Sequence, residues 1–237
     1  MKIPKEVYGP TITDADTQAF FQLFDEPVGG SVLEVGAHDE PVANLLTDHG
    51  FHVTGVDLRE YHAGQDMPNA PSPKCNYRYI QNDFCALPEY VHREFLGKLD
   101  CIISLSALEH FGLNTYGEGS QHPFYDVIAA RLIWDFLKEG GVAYITVPFG
   151  KHYVEAPPHW RIYDTFAVRT RLVQDFHVEF ASAFIAGKVI IGGQERHWGF
   201  PLTMEEACEY DDPEEPHVSL ILKMRKREVK RLAPDGR

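Results

Sequence analysis

Ser31-Val32-Leu33-Glu34-Val35-Gly36-Ala37-His38-Asp39-Glu40-Pro41-Val42-Ala43-Asn44-Leu45-Leu46 reads as a strand, a tight turn and the start of a helix. The left side is a short apolar run. The turn holds one glycine and a cluster of acids. Val42, Leu45 and Leu46 recur at helical spacing on the right. Strand, sharp turn and helix in that order are how doubly wound α/β domains seat a nucleotide-like ligand at a helix N-terminus.

The flanking chain extends the pattern. Thr13-Asp14-Ala15-Asp16 can cap a helix with Ala19, Phe20, Leu23 and Phe24 on one face. Residues 50–57 read as a second strand ending in Asp57, and 76–83 as a third ending in Asp83, with the Pro-rich 62–76 between them a loop. Pro88 opens a short helix to about 97. Leu99 to Ser106 is nearly continuous apolar sequence, the mark of a central parallel strand covered on both faces. A helix over about 123–138 is expected to stop at Gly140-Gly141, before a fifth strand, 142–148. Residues 149–162 read as a loop, and 164–175 as a helix. Phe176–Ile185 and His217–Met224 read as an antiparallel pair closing the sheet. Between them, 192–216 reads as a loop-rich insertion with a short helix at 203–208. The expected architecture is α/β, one domain over 1–237 with a helical extension at 1–27. Its seven-stranded, mostly parallel sheet would have the strand order 3-2-1-4-5-7-6.

Composition limits the function. The 237 residues are 44% hydrophobic and 24% charged, with net charge −13. Such a surface repels phosphate backbones, so nucleic acid is not an expected partner. The basic stretch Lys223 to Arg231 is read as a solvated strand end. No signal segment and no apolar run of about 18 residues is present, so no membrane span is expected. The four cysteines, at 75, 85, 101 and 208, lack C-x-x-C spacing. Reduced thiols and a cytoplasmic location are expected.

Ligands of open parallel sheets bind beyond the carboxyl ends of the strands. Those ends carry Glu34, Gly36, Asp57, Asp83 and the run from Ser104 to His110. A dinucleotide needs G-x-G-x-x-G so that its pyrophosphate can approach the backbone. Here one glycine stands among acids, which repel a pyrophosphate and favour a ligand bearing cationic groups.

Val-Leu-Glu-Val-Gly-Ala at 32–37, Gly-Val-Asp at 55–57 and Gln-Asn-Asp-Phe at 81–84 come in a characteristic order. Ser-Ala-Leu-Glu-His-Phe-Gly-Leu at 106–113 and Leu-Lys-Glu-Gly-Gly-Val-Ala-Tyr-Ile-Thr-Val-Pro at 137–148 follow. Together they resemble a class I S-adenosylmethionine-dependent methyltransferase. The resemblance covers roughly residues 28–185 and the closing strand. The segment 109–117 is also similar to a methyltransferase-like family associated with polysaccharide or small-molecule pathways. The resemblance implies that Glu34 and Gly36 hold the methionine end of S-adenosylmethionine, whose product is S-adenosylhomocysteine. It implies that Asp57 accepts from the ribose hydroxyls and Asp83 from the adenine amine, with Phe84 beside it. Ser104 and the following turn would border the methionine moiety. Many members have a glycine where His38 stands.

An alcohol acceptor needs a base, and His110 and His159 are the candidates. Tyr116, Tyr125, Tyr153, Trp160 and Arg161 could line an acceptor pocket. Glu109, His110, His152 and His159 lack the tight spacing of a metal site, so a divalent ion is unsupported. No Pro-Cys and no Asn/Asp-Pro-Pro-aromatic motif follows the fourth strand. O-methylation of a small-molecule or saccharide acceptor is therefore the favoured expectation. Its rivals are a non-catalytic S-adenosylmethionine-binding interaction protein and, below it, a nicotinamide-dependent nucleotide-sugar enzyme.

Overall fold

The structure is a computed structural model, and it describes residues 14–37, 42–60, 77–117, 121–191, 194–211 and 218–227. His38 and Cys75, two residues singled out in the sequence, lie outside these ranges.

Five strands follow the apolar runs: β1 (Ser31–Val35), β2 (His52–Asp57), β3 (Tyr77–Gln81), β4 (Leu99–Leu105) and β5 (Leu137–Pro148). They pair in parallel in the order β3-β2-β1-β4-β5. Along β1, β4 and β5 successive side chains enter two different cores. Leu33, Val35, Ile102, Ala143 and Ile145 join one core, and Val32, Cys101, Ile103, Val142 and Tyr144 the other. Coverage on both faces is why these segments read as unbroken apolar runs instead of alternating ones.

Helices supply the two covers. Helix α1 (Ala15–Leu23) is capped by Asp14, whose carboxylate accepts from Thr17 N at 2.7 Å, and it buries Phe20 and Phe21. It shares its core with α2 (Val42–Asp48). Helices α3 (Glu89–Phe95) and α4 (Tyr125–Phe136) pack into the opposite core through Val91, Phe95, Ala129, Ile133 and Phe136. The result is a three-layer sandwich of helices, sheet and helices.

The carboxyl-terminal part corrects several expectations. α4 stops at Phe136, and the Gly140-Gly141 pair lies inside β5. Leu99 pairs with Leu137 while Cys101 pairs with Val142, so the extra residues of β5 bulge out of the ladder. Gly140, at φ +75°, takes the left-handed conformation that the bulge requires. The helix expected at 164–175 is a single turn, α5 (Thr165–Ala167), that widens into a π turn at Val168–Leu172. The loop at 149–162 contains a two-stranded ribbon of β6 (Val154–Ala156) and β7 (Trp160–Ile162).

The insertion at 192–216 is mostly ordered structure. β8 (Phe176–Ile191) runs past its expected end and pairs antiparallel with β9 (Gln194–Leu202), after which comes helix α6 (Met204–Glu209). β10 (Val218–Lys226) inserts antiparallel between β5 and β8. The sheet therefore has eight strands, in the order β3-β2-β1-β4-β5-β10-β8-β9. The expected order holds for the first seven positions, and the β9 arm adds the eighth. Its Gly199-Phe200-Pro201 sequence hid it, since glycine and proline ordinarily argue against a strand. No helix among the described residues is long and apolar enough to cross a membrane.

Candidate functional site

Strand order reverses between β1 and β4, and the crevice beyond their carboxyl ends is where such sheets take ligands. A cleft with about 770 Å³ of empty space, partly open to solvent, lies there. Four of the five parallel strands line it at their carboxyl ends: Gly36 after β1, Asp57 at the end of β2, Asp83 after β3 and Ser106 after β4.

Gly36 makes the first turn possible. Its φ is +82°, and a β-carbon there would stand 2.5 Å from Ala107 Cβ. The turn is closed by Gly36 N donating to Val56 O at 2.9 Å. Glu34, two residues earlier, is 2% exposed, and its Oε2 has no hydrogen-bond partner among the described residues. Burial, with Asp57 adding repulsion, pushes its carboxyl up to about 8. An acid held so far from water is costly without a positive partner.

Asp57 ends β2 with its side chain 6% exposed. Arg59 engages both of its oxygens. Asp83 caps a 3-10 turn at Phe84–Ala86, its carboxylate accepting from Cys85 N at 2.8 Å. Phe84, Tyr125, Phe111 and Leu58 give this end of the cleft apolar and aromatic surfaces suited to a flat base.

The wall after β4 is more constrained. Ser106 has φ +46°, a conformation uncommon for a side-chain-bearing residue. Its N–H donates to Thr146 Oγ1 at 2.9 Å, and its hydroxyl donates to Glu109 Oε1 at 2.7 Å. Glu109 is 1% exposed; burial raises its carboxyl, with His110 and Ser106 opposing. His110 lines the cleft. Its Nδ1 lies 2.5 Å from the backbone carbonyl of His159. A carbonyl only accepts, so Nδ1 carries the proton and the neutral ring keeps its lone pair on Nε2. Nε2 is 3.9 Å from Glu109 Oε1.

The other expected site residues separate into two groups. Gly36, Asp57, Asp83, Phe84, His110, Tyr116 and Tyr125 converge on the cleft. Ser104, Glu34, His159, Tyr153, Trp160 and Arg161 do not line it. Ser104 is wholly buried in β4, with Ser106 in the place expected for it. The His159 side chain is exposed beside Trp160, and what it supplies to the cleft wall is its backbone carbonyl. Arg161 is fully buried, donating from Nε to Glu155 at 3.1 Å and from Nη1 to Phe111 O at 2.6 Å. It braces the cleft wall from behind and does not face an acceptor. The Tyr153 hydroxyl donates to Glu155 at 3.0 Å, on the same ribbon. Arg59, Asn82, Leu58 and Phe111 are cleft residues that sequence reasoning missed. The signal for Arg59 was its position two residues beyond a strand-ending acid.

Among the described residues no group of three or more His, Cys, Asp or Glu side chains gathers as a metal site. Cys85, Cys101 and Cys208 are free thiols, and burial raises the first two.

Solved structures share this fold. The 1,6-didemethyltoxoflavin-N1-methyltransferase of Burkholderia thailandensis, crystallised with 1,6-didemethyltoxoflavin and S-adenosylhomocysteine, is 15% identical with a TM-score of 0.51. The match covers 85% of this chain and 72% of that one. The N-methyltransferase NodS of Bradyrhizobium japonicum, in complex with S-adenosylhomocysteine, is 12% identical with a TM-score of 0.54, over 90% of this chain and 86% of that one. The [4+2]-cyclase SpnF is 14% identical with a TM-score of 0.56, over 90% and 80%. At such identities the likeness is one of fold. No protein of curated function matches the sequence. A family model described as a methyltransferase domain does match, over residues 14–182, from the capped start of α1 across all five parallel strands and the cleft they end in. The chain belongs to the methyltransferase domain family, on the fold of the class I S-adenosylmethionine-dependent enzymes.

Proposed function

We propose that the cleft binds S-adenosylmethionine and that the chain transfers its methyl group to an oxygen of a small-molecule or saccharide acceptor, with His110 as general base. The observation that carries this reading is the convergence of Gly36, Asp57, Asp83 and His110 on one cleft at the strand-order reversal.

The residues suit the cofactor. A glycine turn lets its methionine end approach the backbone, two carboxylates stand where hydroxyl and amine donors arrive, and aromatic surfaces flank the second carboxylate. The acids around the turn favour a cationic ligand and repel a pyrophosphate, which sets the nicotinamide reading aside. When bound, S-adenosylmethionine supplies an activated methyl group. The protein's part is to hold an acceptor in line with it and to remove a proton. His110 Nε2 carries the available lone pair, and Glu109 Oε1 stands 3.9 Å from it. Ser106 holds Glu109 in turn, so base and orienting acid sit on one braced loop.

The SpnF match shows that this fold also serves chemistry named for a cyclase, so binding and transfer need separate tests. Calorimetry on the full chain is expected to give a dissociation constant for S-adenosylhomocysteine of about micromolar. Asp57→Ala should weaken it by at least about tenfold, the loss of one or two hydrogen bonds to a charged acceptor. Labelled S-adenosylmethionine with cell extract, followed by mass spectrometry, then identifies the product. His110→Ala should lower turnover by about a hundredfold or more while binding of S-adenosylhomocysteine stays unchanged. Binding without transfer to any extract component would favour an interaction protein, and absence of binding would remove the cofactor reading.

A further inference from the structure

Asp57 is the residue best placed to receive a ribose, yet the protein's own donors nearly fill its acceptor capacity. Arg59 N donates to Oδ1 at 2.8 Å, Arg59 Nε to the same oxygen at 3.0 Å, and Nη2 to Oδ2 at 3.0 Å. A carboxylate offers about four lone-pair sites, two on each oxygen. Three are occupied, which leaves one on Oδ2. A ribose presents two vicinal hydroxyls and needs two sites. The backbone N–H bond can persist, since it uses one site and leaves three. The guanidinium cannot stay where it is.

The same guanidinium reaches across the cleft. Its Cζ lies 4.8 Å from the centroid of the Tyr116 ring, and that ring stands 5.7 Å from His110. Arg59 comes from beyond β2, whereas Tyr116 comes from the segment after β4. The contact thus joins the two walls over the place where the ribose acceptor sits. Tyr79 fixes the Arg59 backbone, donating its hydroxyl to Arg59 O at 2.7 Å. Only the side chain needs to move for the acceptor to be released.

We propose that Arg59 is a cap on the cofactor site: its guanidinium occupies Asp57 in the free protein and is exchanged for the ribose diol when S-adenosylmethionine or S-adenosylhomocysteine binds. This rests on the cofactor reading above. The cap answers a cost that the Asp57 carboxylate carries whenever no ribose hydroxyl donates to it. Asp57 is almost fully buried, and a buried carboxylate without donors is costly. Arg59 supplies those donors and holds the carboxylate oriented between ligands. The consequence is that cofactor affinity is set partly by a competitor built into the chain, because binding must first break a bidentate ion pair.

Calorimetry with S-adenosylhomocysteine on the full-length wild type, Arg59→Ala, Arg59→Lys, Asp57→Ala and the Arg59→Ala/Asp57→Ala double variant tests the exchange. Arg59→Ala should bind about fivefold more tightly than wild type, the size expected for losing one partly exposed ion-pair competitor. Arg59→Lys, which retains the charge without the bidentate geometry, should fall between them and guards against a folding artefact in the alanine variant. In the Asp57→Ala background the Arg59→Ala change should have no effect. Unchanged or weaker binding by Arg59→Ala, with wild type binding, would overturn the cap and leave the cofactor reading standing. So would an equal tightening in the Asp57→Ala background. Failure of every variant and of wild type to bind would overturn the cofactor reading and the cap with it.

Discussion

Gly36 shows how closely the first turn is fitted. Two independent penalties meet a side chain there, the positive φ and the 2.5 Å approach to Ala107 Cβ. Gly36→Ala is expected to cost about 2–3 kcal/mol of stability, since a strained backbone residue costs about 1–3 kcal/mol before any clash. Urea denaturation would read this as a lower midpoint with an unchanged slope. Ala107→Gly removes the clash but not the strain, so the double variant should recover only part of the loss. Full recovery would show that crowding alone makes glycine necessary. The glycine, Asp57 and Asp83 were legible in the sequence because each closes or follows an apolar strand, where position alone gives direction. Arg59 was not, since its importance lies in what it covers. Ser106 was displaced by two residues from the expected Ser104. The strand and the turn share one polar spelling, Ser-Leu-Ser, and only the backbone shows that β4 ends between them.

At the scale of elements, the turn of the β6–β7 ribbon holds the His110 ring, the proposed base, without contributing a side chain to the cleft. Its turn offers two carbonyls: His159 O receives His110 Nδ1, and Pro158 O receives the Thr115 hydroxyl at 2.5 Å. Arg161, in β7, ties the same ribbon to the Phe111 carbonyl and braces it internally through Glu155 on β6. Replacing Arg161 with alanine should cost about 2 kcal/mol, the range for hydrogen bonds from a charged group, moderated because Glu155 can turn to water. The more specific expectation is kinetic. With the ribbon loosened, turnover should fall while S-adenosylhomocysteine affinity is preserved, because Asp57 and Asp83 stand on other elements. A parallel loss of affinity would show that the ribbon also shapes the cofactor end. The ribbon was not legible because its sequence, Pro157-Pro158-His159, reads as a loop, and each strand is only three residues long. The β8–β9 arm was missed for a related reason: its pairing is long-range, and its glycines argue locally for a break. Central parallel strands were readable because burial on both faces writes itself into every residue.

Over the whole molecule, two buried acids, Glu34 and Asp16, give stability a definite pH dependence. Glu34 is pushed up to about 8 from an ordinary 4.5 by burial and then by Asp57. Asp16, at the start of α1, is pushed up to about 7 from 3.8 by burial and then by Asp14, despite hydrogen bonds from Thr146 and Ser219. Both folded values lie above the unfolded ones, so the folded protein holds protons that the unfolded chain has released. The contribution of each is fully present below its ordinary value and is lost as pH rises through 7 for Asp16 and 8 for Glu34. Glu179 works in the opposite sense: Arg225 hydrogen bonds hold its carboxyl low, and that contribution is lost only as acid protonates it. Stability should therefore peak near about pH 4 to 4.5, where the unfolded chain begins to release these protons, and decline from there toward pH 8, each raised group adding a slope of at most about 1.4 kcal/mol per pH unit. Urea midpoints at pH 5, 6.5 and 8 would measure the decline. Glu34→Gln should flatten the limb that extends to pH 8, and Asp16→Asn the limb that ends near 7, since an amide keeps the shape and carries no titrating proton. If both variants track the wild-type decline in parallel, the pH dependence arises elsewhere, and the two acids are paired in solution by groups that keep them ionised. If Glu34→Gln alone flattens the curve, the acid behind the glycine turn governs the pH response. A cationic ligand bound beside it would then displace its proton, so that proton release on binding should be detectable near pH 7 by calorimetry in buffers of different ionisation heat.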